Sequence, residues 1–292
     1  MAFSSHRREM ARLQTTTYNF YHDYLCLLLI HRFKWDNLPK TMNRRFLETQ
    51  LLNRGSISVF EHEVGGMLCL PYSQMGLLNV YGEPLNWRIH SANGRFFTQR
   101  NASNSVIMWD NFLRNVNTPY IHNFAQRLAD IDTSVQVNMK AQKTPILILC
   151  DESQRLSVVN MYEQYEGNRP VIQGTKGLDL IDFKVLKTDA PYVADKLLLD
   201  KQKIWQEIIT FFGFNNANSD KKERLVSDEV NANNGIVSAG LAFGLDARKD
   251  ATERINDMFS LDIMPRPNDE LIINENGGTD TWQDLQPNSA QS

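Results

Sequence analysis

The sequence predicts a mixed α+β fold, mainly α, on three observations. Residues 7–35, 119–143 and 189–213 each carry apolar residues at helical spacing over many turns. Residues 55–118 hold short apolar runs cut by glycines at 55, 65, 66, 76, 82 and 94, the pattern of a small antiparallel sheet. Residues 144–188 read as strand, helix, strand, strand.

Composition bounds the function classes. The 292 residues are 42% hydrophobic and 22% charged, ordinary globular usage that excludes a disordered, collagenous or disulfide-scaffold chain. Lys+Arg number 31 against 34 Asp+Glu, so the net charge of −3 excludes a whole-surface grip on nucleic acid. The charge is unevenly spread. Residues 1–54 hold nine Lys/Arg against four acids, and residues 251–292 hold two Arg against eight acids. The acidic end reads as a solubilising tail.

The first helix is expected over 7–35, with Leu13, Phe20, Tyr24, Leu27 and Leu28 on one side. The apolar run Leu25–Ile30 is six residues long and flanked by His22, Asp23, His31 and Arg32, too short for a membrane span of about 20 residues. Asp36-Asn37-Leu38-Pro39 ends this helix, and Arg44–Leu52 forms a short second one. Within 55–118, Ser56–Phe60 and Ser105–Trp109 are the clearest strands. Thr118 or Asn117 caps the next helix, with Pro119 at its first position and Ile121, Phe124, Leu128, Ile131, Val135 and Met139 as one narrow stripe. A 25-residue helix is about 37 Å long, suited to a stalk.

Strands are expected at 145–149, 170–172 and 183–186, with a helix from Leu156 to Gln164. Asp189 and Pro191 start the third long helix and Gly213 stops it; Ala194, Leu197, Leu198, Trp205, Ile208, Ile209 and Phe212 face one way. Residues 215–240, rich in Asn, Ser, Lys, Glu and Asp, read as a long loop or frayed helix. Ala247–Phe259 is a last amphipathic helix, and 267–292 is an extended acidic tail.

The sequence carries no motif for catalysis. Gly174-Thr175-Lys176-Gly177 lacks the earlier glycine and the following Ser or Thr of a phosphate-binding loop. The six histidines have no metal spacing, and His62, between Glu61 and Glu63, sits on a solvated strand edge. Cys26, Cys69 and Cys150 are odd in number and far apart, which reads as buried thiols in a reducing compartment. No catalytic group, metal or cofactor is assigned. Lys187 and Lys196 flank the start of the third long helix, and Lys221-Lys222-Glu223-Arg224 lies in the polar loop. Alone, these are solvated charges; a module binding nucleic acid through residues 220–224, as monomer or dimer, is the rival they allow. A second rival is an enzyme whose site the sequence does not display.

Four ordered blocks carry a resemblance. They are Trp35-Asp36-Asn37-Leu38-Pro39-Lys40-Thr41-Met42-Asn43 with Phe46-Leu47-Glu48, and Ala141-Gln142-Lys143-Thr144-Pro145. The third is Tyr162-Glu163-Gln164-Tyr165-Glu166-Gly167-Asn168 with Pro170-Val171-Ile172. The fourth is Phe183–Glu229, including Lys187-Thr188-Asp189-Ala190-Pro191-Tyr192-Val193 and Asn216-Ala217-Asn218. Collinear from about 18 to 262 and strongest over 141–230, the chain resembles the head–tail connectors (portal or upper collar proteins) of small, short-tailed, protein-primed phages.

The resemblance implies a portal fold assembled as a dodecameric ring around a channel for double-stranded DNA. Three stalk helices would lie at 7–35, 119–143 and 189–213. Residues 36–118 would form the wing, 144–188 an α/β clip, 216–240 a channel loop, and 241–266 a wide-end helix and strand. It places Lys187, Lys196, Lys221, Lys222 and Arg224 on the DNA channel, and Arg7, Arg8 and Arg12 at a packaging RNA. The partners it implies are capsid and scaffolding proteins, a separate packaging ATPase, lower collar and tail proteins, and no membrane. It implies assembly in the host cytoplasm and residence at the head–tail junction of the virion. The tail 267–292 carries no match.

Overall fold

The structure, a computed structural model, describes residues 2–142, 146–148, 183–185, 191–216 and 227–273. The chain divides into two compact units, residues 1–131 with 199–292, and residues 132–198.

In the first unit, helix α1 (Ala2–His31) leads into strand β1 (Phe33–Asp36) and helix α2 (Arg44–Arg54). The first helix thus stops at His31, four residues short of the expected end. Phe33–Asp36 pair antiparallel with β11 (Met264–Pro267), a partner 230 residues away that local periodicity does not reveal. Helix α2 follows expectation: Asn43 caps it, accepting the Phe46 N–H at 2.9 Å, and Gly55 closes it.

Residues 56–109 form two three-stranded antiparallel sheets. Strands β2 (Ser56–His62), β3 (Gly66–Leu70) and β7 (Ser105–Trp109) are ordered β3–β2–β7. Strands β4 (Tyr72–Leu78), β5 (Pro84–His90) and β6 (Phe97–Asn101) are ordered β4–β5–β6. Strand β2 is buried on both faces because side chains alternate. Ile57 and Val59 point to a core shared with Leu47 and Leu51 of α2 and Ala251 and Ile255 of the last helix. Phe60 points to a core with Trp87, Ile89 and Ile107, where the Trp87 indole N–H donates to Ser58 Oγ at 3.0 Å. The first sheet is therefore the middle layer between helices and the second sheet. His62 closes the turn after β2, its Nδ1 accepting the Gly65 N–H at 3.0 Å.

Helix α3 (Thr118–Ala141) runs from the first unit into the second, and α4 (Ala194–Phe212) returns. Thr118 and Asn117 do not cap α3 through their side chains: Thr118 Oγ1 donates to Leu52 O and Asn117 Nδ2 to Asp110 Oδ2. A three-helix core joins Tyr21, Leu25 and Leu28 of α1 to Ile121, Phe124 and Leu128 of α3 and Trp205, Ile208 and Phe212 of α4. The expected stripe of α3 is buried at Ile121, Phe124 and Leu128, whereas Met139 is 59% exposed. Helix α4 starts at Ala194, later than the expected 189. The Val193 N–H is taken by Asn138 Oδ1 at 3.1 Å, and Asn138 Nδ2 donates to Pro191 O at 2.9 Å.

In the second unit, β8 (Ile146–Ile148) pairs antiparallel with β9 (Phe183–Val185), where strands were expected. The helix 156–164 and strand 170–172 lie outside the described residues.

Strand β10 (Asn215–Asn216) pairs with β12 (Ile272–Ile273), and helix α5 spans Ser227–Phe259 without a break. This corrects the reading of 215–240 as a loop or frayed helix with a helix only from Ala247: residues 227–240 belong to one continuous helix. Asn and Ser side chains compete with helical hydrogen bonds, so Asn231, Asn233, Asn234 and Ser238 read locally as loop. Packing overrides that preference: a Cβ at Gly240 would stand 2.7 Å from Phe211 O and 2.8 Å from Thr210 O, so only glycine lets α5 lie on the end of α4 at this distance. Gly213 meets it from the other side with φ +69°, its missing Cβ 2.1 Å from Leu241 N.

Candidate nucleic-acid interface

Lys196 is the one predicted DNA-contacting residue among those described. It lies in the first turn of α4 and is exposed, beside exposed Asp195. Further along the helix, Lys203 Nζ pairs with Asp200 at 2.8 Å, and Lys201 Nζ sits 5.3 Å from the centre of the Tyr21 ring. Glu207 pairs with Arg127 of α3 at 2.7 Å; the hydrogen bond from Arg127 holds its carboxyl below the usual range. The polar side of α4 therefore alternates in sign, and its charges largely answer one another. Such a surface gives weak contact to a polyanion, because each unopposed cation on a phosphate adds counterion-release affinity.

Lys187, Lys221, Lys222 and Arg224 lie outside the described residues. Arg7, Arg8 and Arg12 all fall on α1, and Arg12 is exposed.

The sequence reading missed a buried charge cluster. Arg248 of α5, 3% exposed at its side chain, donates to Glu48 Oε2 and to Asp110 Oδ1, each at 2.8 Å. Glu48 also accepts the Trp35 indole N–H at 2.8 Å. Arg32 is buried beside them, and its guanidinium carbon and that of Arg248 lie 4.5 and 4.4 Å from the centre of the Phe33 ring. Burial, then the neighbouring Arg248 charge, pulls the Arg32 pKa down to about 10. Burial also works against the Arg248 charge, but Glu48 and Asp110 more than offset it and hold its pKa above the ordinary value. The faint signal was position: Glu48 sits between Leu47 and Leu51 in the buried register of α2, and Arg248 shares a face with Ala251 and Ile255. Composition-level reading assigns such charges to solvent.

A groove of about 490 Å³ lies on the first unit, lined among others by Trp87, Val106, Trp109, Arg114, Arg254 and Met258. Both arginines on its rim are paired, Arg114 to Glu83 at 2.6 Å and Arg254 to Asp250 at 3.1 Å. Among the described residues, no three His, Cys, Asp or Glu are placed to hold a metal, and no helix is long and apolar enough to cross a membrane.

Large apolar side chains remain on helix surfaces. Phe20 and Leu27 of α1 are 62% and 54% exposed, and Ile236 and Phe243 of α5 are 59% and 67% exposed.

The fold resembles solved portals. A chain in the structure of the portal and tail of native bacteriophage P68 aligns with a TM-score of 0.52 at 17% identity, over 92% of this chain and 91% of that one. A portal protein of the HK97 phage family from Corynebacterium diphtheriae aligns with a TM-score of 0.44 at 9% identity, over 86% and 92% of the two chains. The sequence profile of the Phage Connector (GP10) family matches residues 5–272, nearly the whole length. A chain with this profile match and a portal-like fold is a portal subunit, and it belongs to the phage connector family.

Proposed function

We propose that this portal subunit assembles as a dodecameric ring whose channel passes double-stranded genomic DNA during packaging and ejection. The observation that carries the proposal is the set of long helices with bare apolar side chains, Phe20 and Leu27 on α1 and Ile236 and Phe243 on α5. Isolated apolar residues on a surface are ordinary, but repeated ones along long helices mark a surface that meets a partner. A ring supplies that partner on both flanks of every subunit.

In the ring, Lys187, Lys196, Lys221, Lys222 and Arg224 face the DNA, each repeated as a circle of positive charge. The alternating signs on α4 keep contact transient, so DNA slides rather than sticks. Lys221 and Lys222 help stop packaged DNA slipping back. Arg7, Arg8 and Arg12 are the proposed contacts to a packaging RNA. The ATP-hydrolysing motor is a separate protein, later replaced by lower collar and tail proteins, and capsid and scaffolding subunits contact the wing. The ring assembles in the host cytoplasm and stays at the head–tail junction of the virion.

Native mass measurement with negative-stain images of the full chain tests the assembly. A ring of about twelve subunits around a hole wider than a DNA duplex, on the order of 20 Å, is expected. A monomer or dimer with tight, salt-sensitive DNA binding would replace this reading with a nucleic-acid module. The double substitution Lys221→Ala, Lys222→Ala should leave rings intact and weaken DNA retention; normal retention would remove the loop from the mechanism.

A further inference from the structure

The ends of α1 and α4, the stretch of α5 at Leu241 and the turn at Asn268 border a partly open space of about 10 Å³, lined among others by Arg32, Gly213, Phe214, Leu241 and Leu271. Two buried polar atoms on its lining residues have no hydrogen-bond partner among the described residues: Arg32 Nε, a donor, and Asn268 Oδ1, an acceptor. The assignment of the Asn268 amide is fixed by its other bond, since Nδ2 donates to His31 O at 2.8 Å and that carbonyl can only accept. The Asn268 backbone N–H donates to Arg32 O at 2.9 Å, holding the two residues side by side.

Neither group can easily turn away, nor can the walls collapse. The Arg32 guanidinium lies over the Phe33 ring and against Gly244, where an added Cβ would be 2.2 Å from Nη2. The walls are already in backbone contact at Gly213 and Leu241. A space of this size holds one water, and a buried water commonly bridges polar groups that the protein leaves unpaired.

We propose that this cavity binds a single ordered water molecule, which accepts the Arg32 Nε–H and donates to Asn268 Oδ1. A cation is disfavoured by the Arg32 donor. An anion is disfavoured by the Asn268 carbonyl oxygen and by Glu48 and Asp110, which already balance Arg32 and Arg248. The water ties the end of α1 to the junction of α4 and α5, at the root from which β10 and the segment after it depart.

The test is a cryo-electron microscopy map of the assembled full-length protein, at a resolution where buried waters elsewhere in the same map are visible. One peak at hydrogen-bonding distance, about 2.7–3.2 Å, from both atoms is expected. No peak with both side chains resolved as described overturns the proposal. So does a peak that touches Arg32 but stands clear of Asn268. A map of the Asn268→Leu variant should lose the peak. Retention in the leucine variant would also overturn the assignment.

Discussion

Replacing Glu48 by leucine should destabilise the protein far more than any surface ion-pair substitution. Glu48 is 2% exposed and accepts from Trp35 Nε1 at 2.8 Å and from Arg248 Nη2 at 2.8 Å and Nε at 3.4 Å. Its loss leaves Arg32 and Arg248 facing Asp110 alone and strands the Trp35 N–H. Removing one partner of a buried pair costs about 3–5 kcal/mol, and a stranded buried donor about 1–3 kcal/mol. The costs overlap because Arg248 keeps Asp110, so about 4 kcal/mol is expected, a fall in Tm of roughly 8–16 °C for a chain of this size. The double substitution Glu48→Leu, Arg248→Met leaves Arg32 opposite Asp110 and restores charge balance. It should lose less than the sum of the single changes. Glu207→Ala, at a pair whose side chains are 39% and 53% exposed, should cost under about 1 kcal/mol. Thermal and urea unfolding at matched protein concentration reads the wild type and the four variants, Arg248→Met alone included, because assembly makes Tm concentration-dependent. A loss below about 1 kcal/mol for Glu48→Leu, or strict additivity in the cycle, would refute the argument from buried charge.

Gly240→Ala places a Cβ 2.7 Å from Phe211 O and should destabilise by about 1–3 kcal/mol, less any gain in helix propensity. Gly235→Ala, with nothing within 4 Å, should stabilise by about 0.5–1 kcal/mol. Equal effects in an unfolding assay would deny the close α4–α5 approach. Burial pushes the Cys69 thiol up to about 12, so it carries almost no thiolate at pH 8 and should stay unalkylated in the folded protein. Peptide mapping after iodoacetamide treatment, native against denatured, checks this, and prompt native labelling would contradict it. The hydrogen bonds from Arg114 to Glu83 and from Arg127 to Glu207 hold both carboxyls below their usual range. The unfolded state therefore binds more protons as pH falls, and their modest contribution, present above the usual carboxylate range, is lost below it. In Glu83→Gln, Glu207→Gln the acid limb of a stability–pH curve should be shallower, and an unchanged limb would locate acid sensitivity elsewhere.

Much of the secondary structure was legible because it is written locally. Periodicity at Ile121, Phe124 and Leu128 and the short run Ser56–Phe60 each hold within a few residues. The family was also legible, through ordered blocks rather than through any single motif. What escaped depends on partners far along the chain. Phe33–Trp35 read as helix until β11 pairs with them. Residues 227–240 read as loop or frayed helix until Gly240 and Gly244 let α5 settle against the ends of α4 and α1. Nothing local says that Arg32, Glu48, Asp110 and Arg248 meet. Local propensities favour a conformation by tenths of a kcal/mol per residue. Burial, strand pairing and desolvated charge are set by long-range contacts and outweigh those propensities, and only the tertiary structure reveals them.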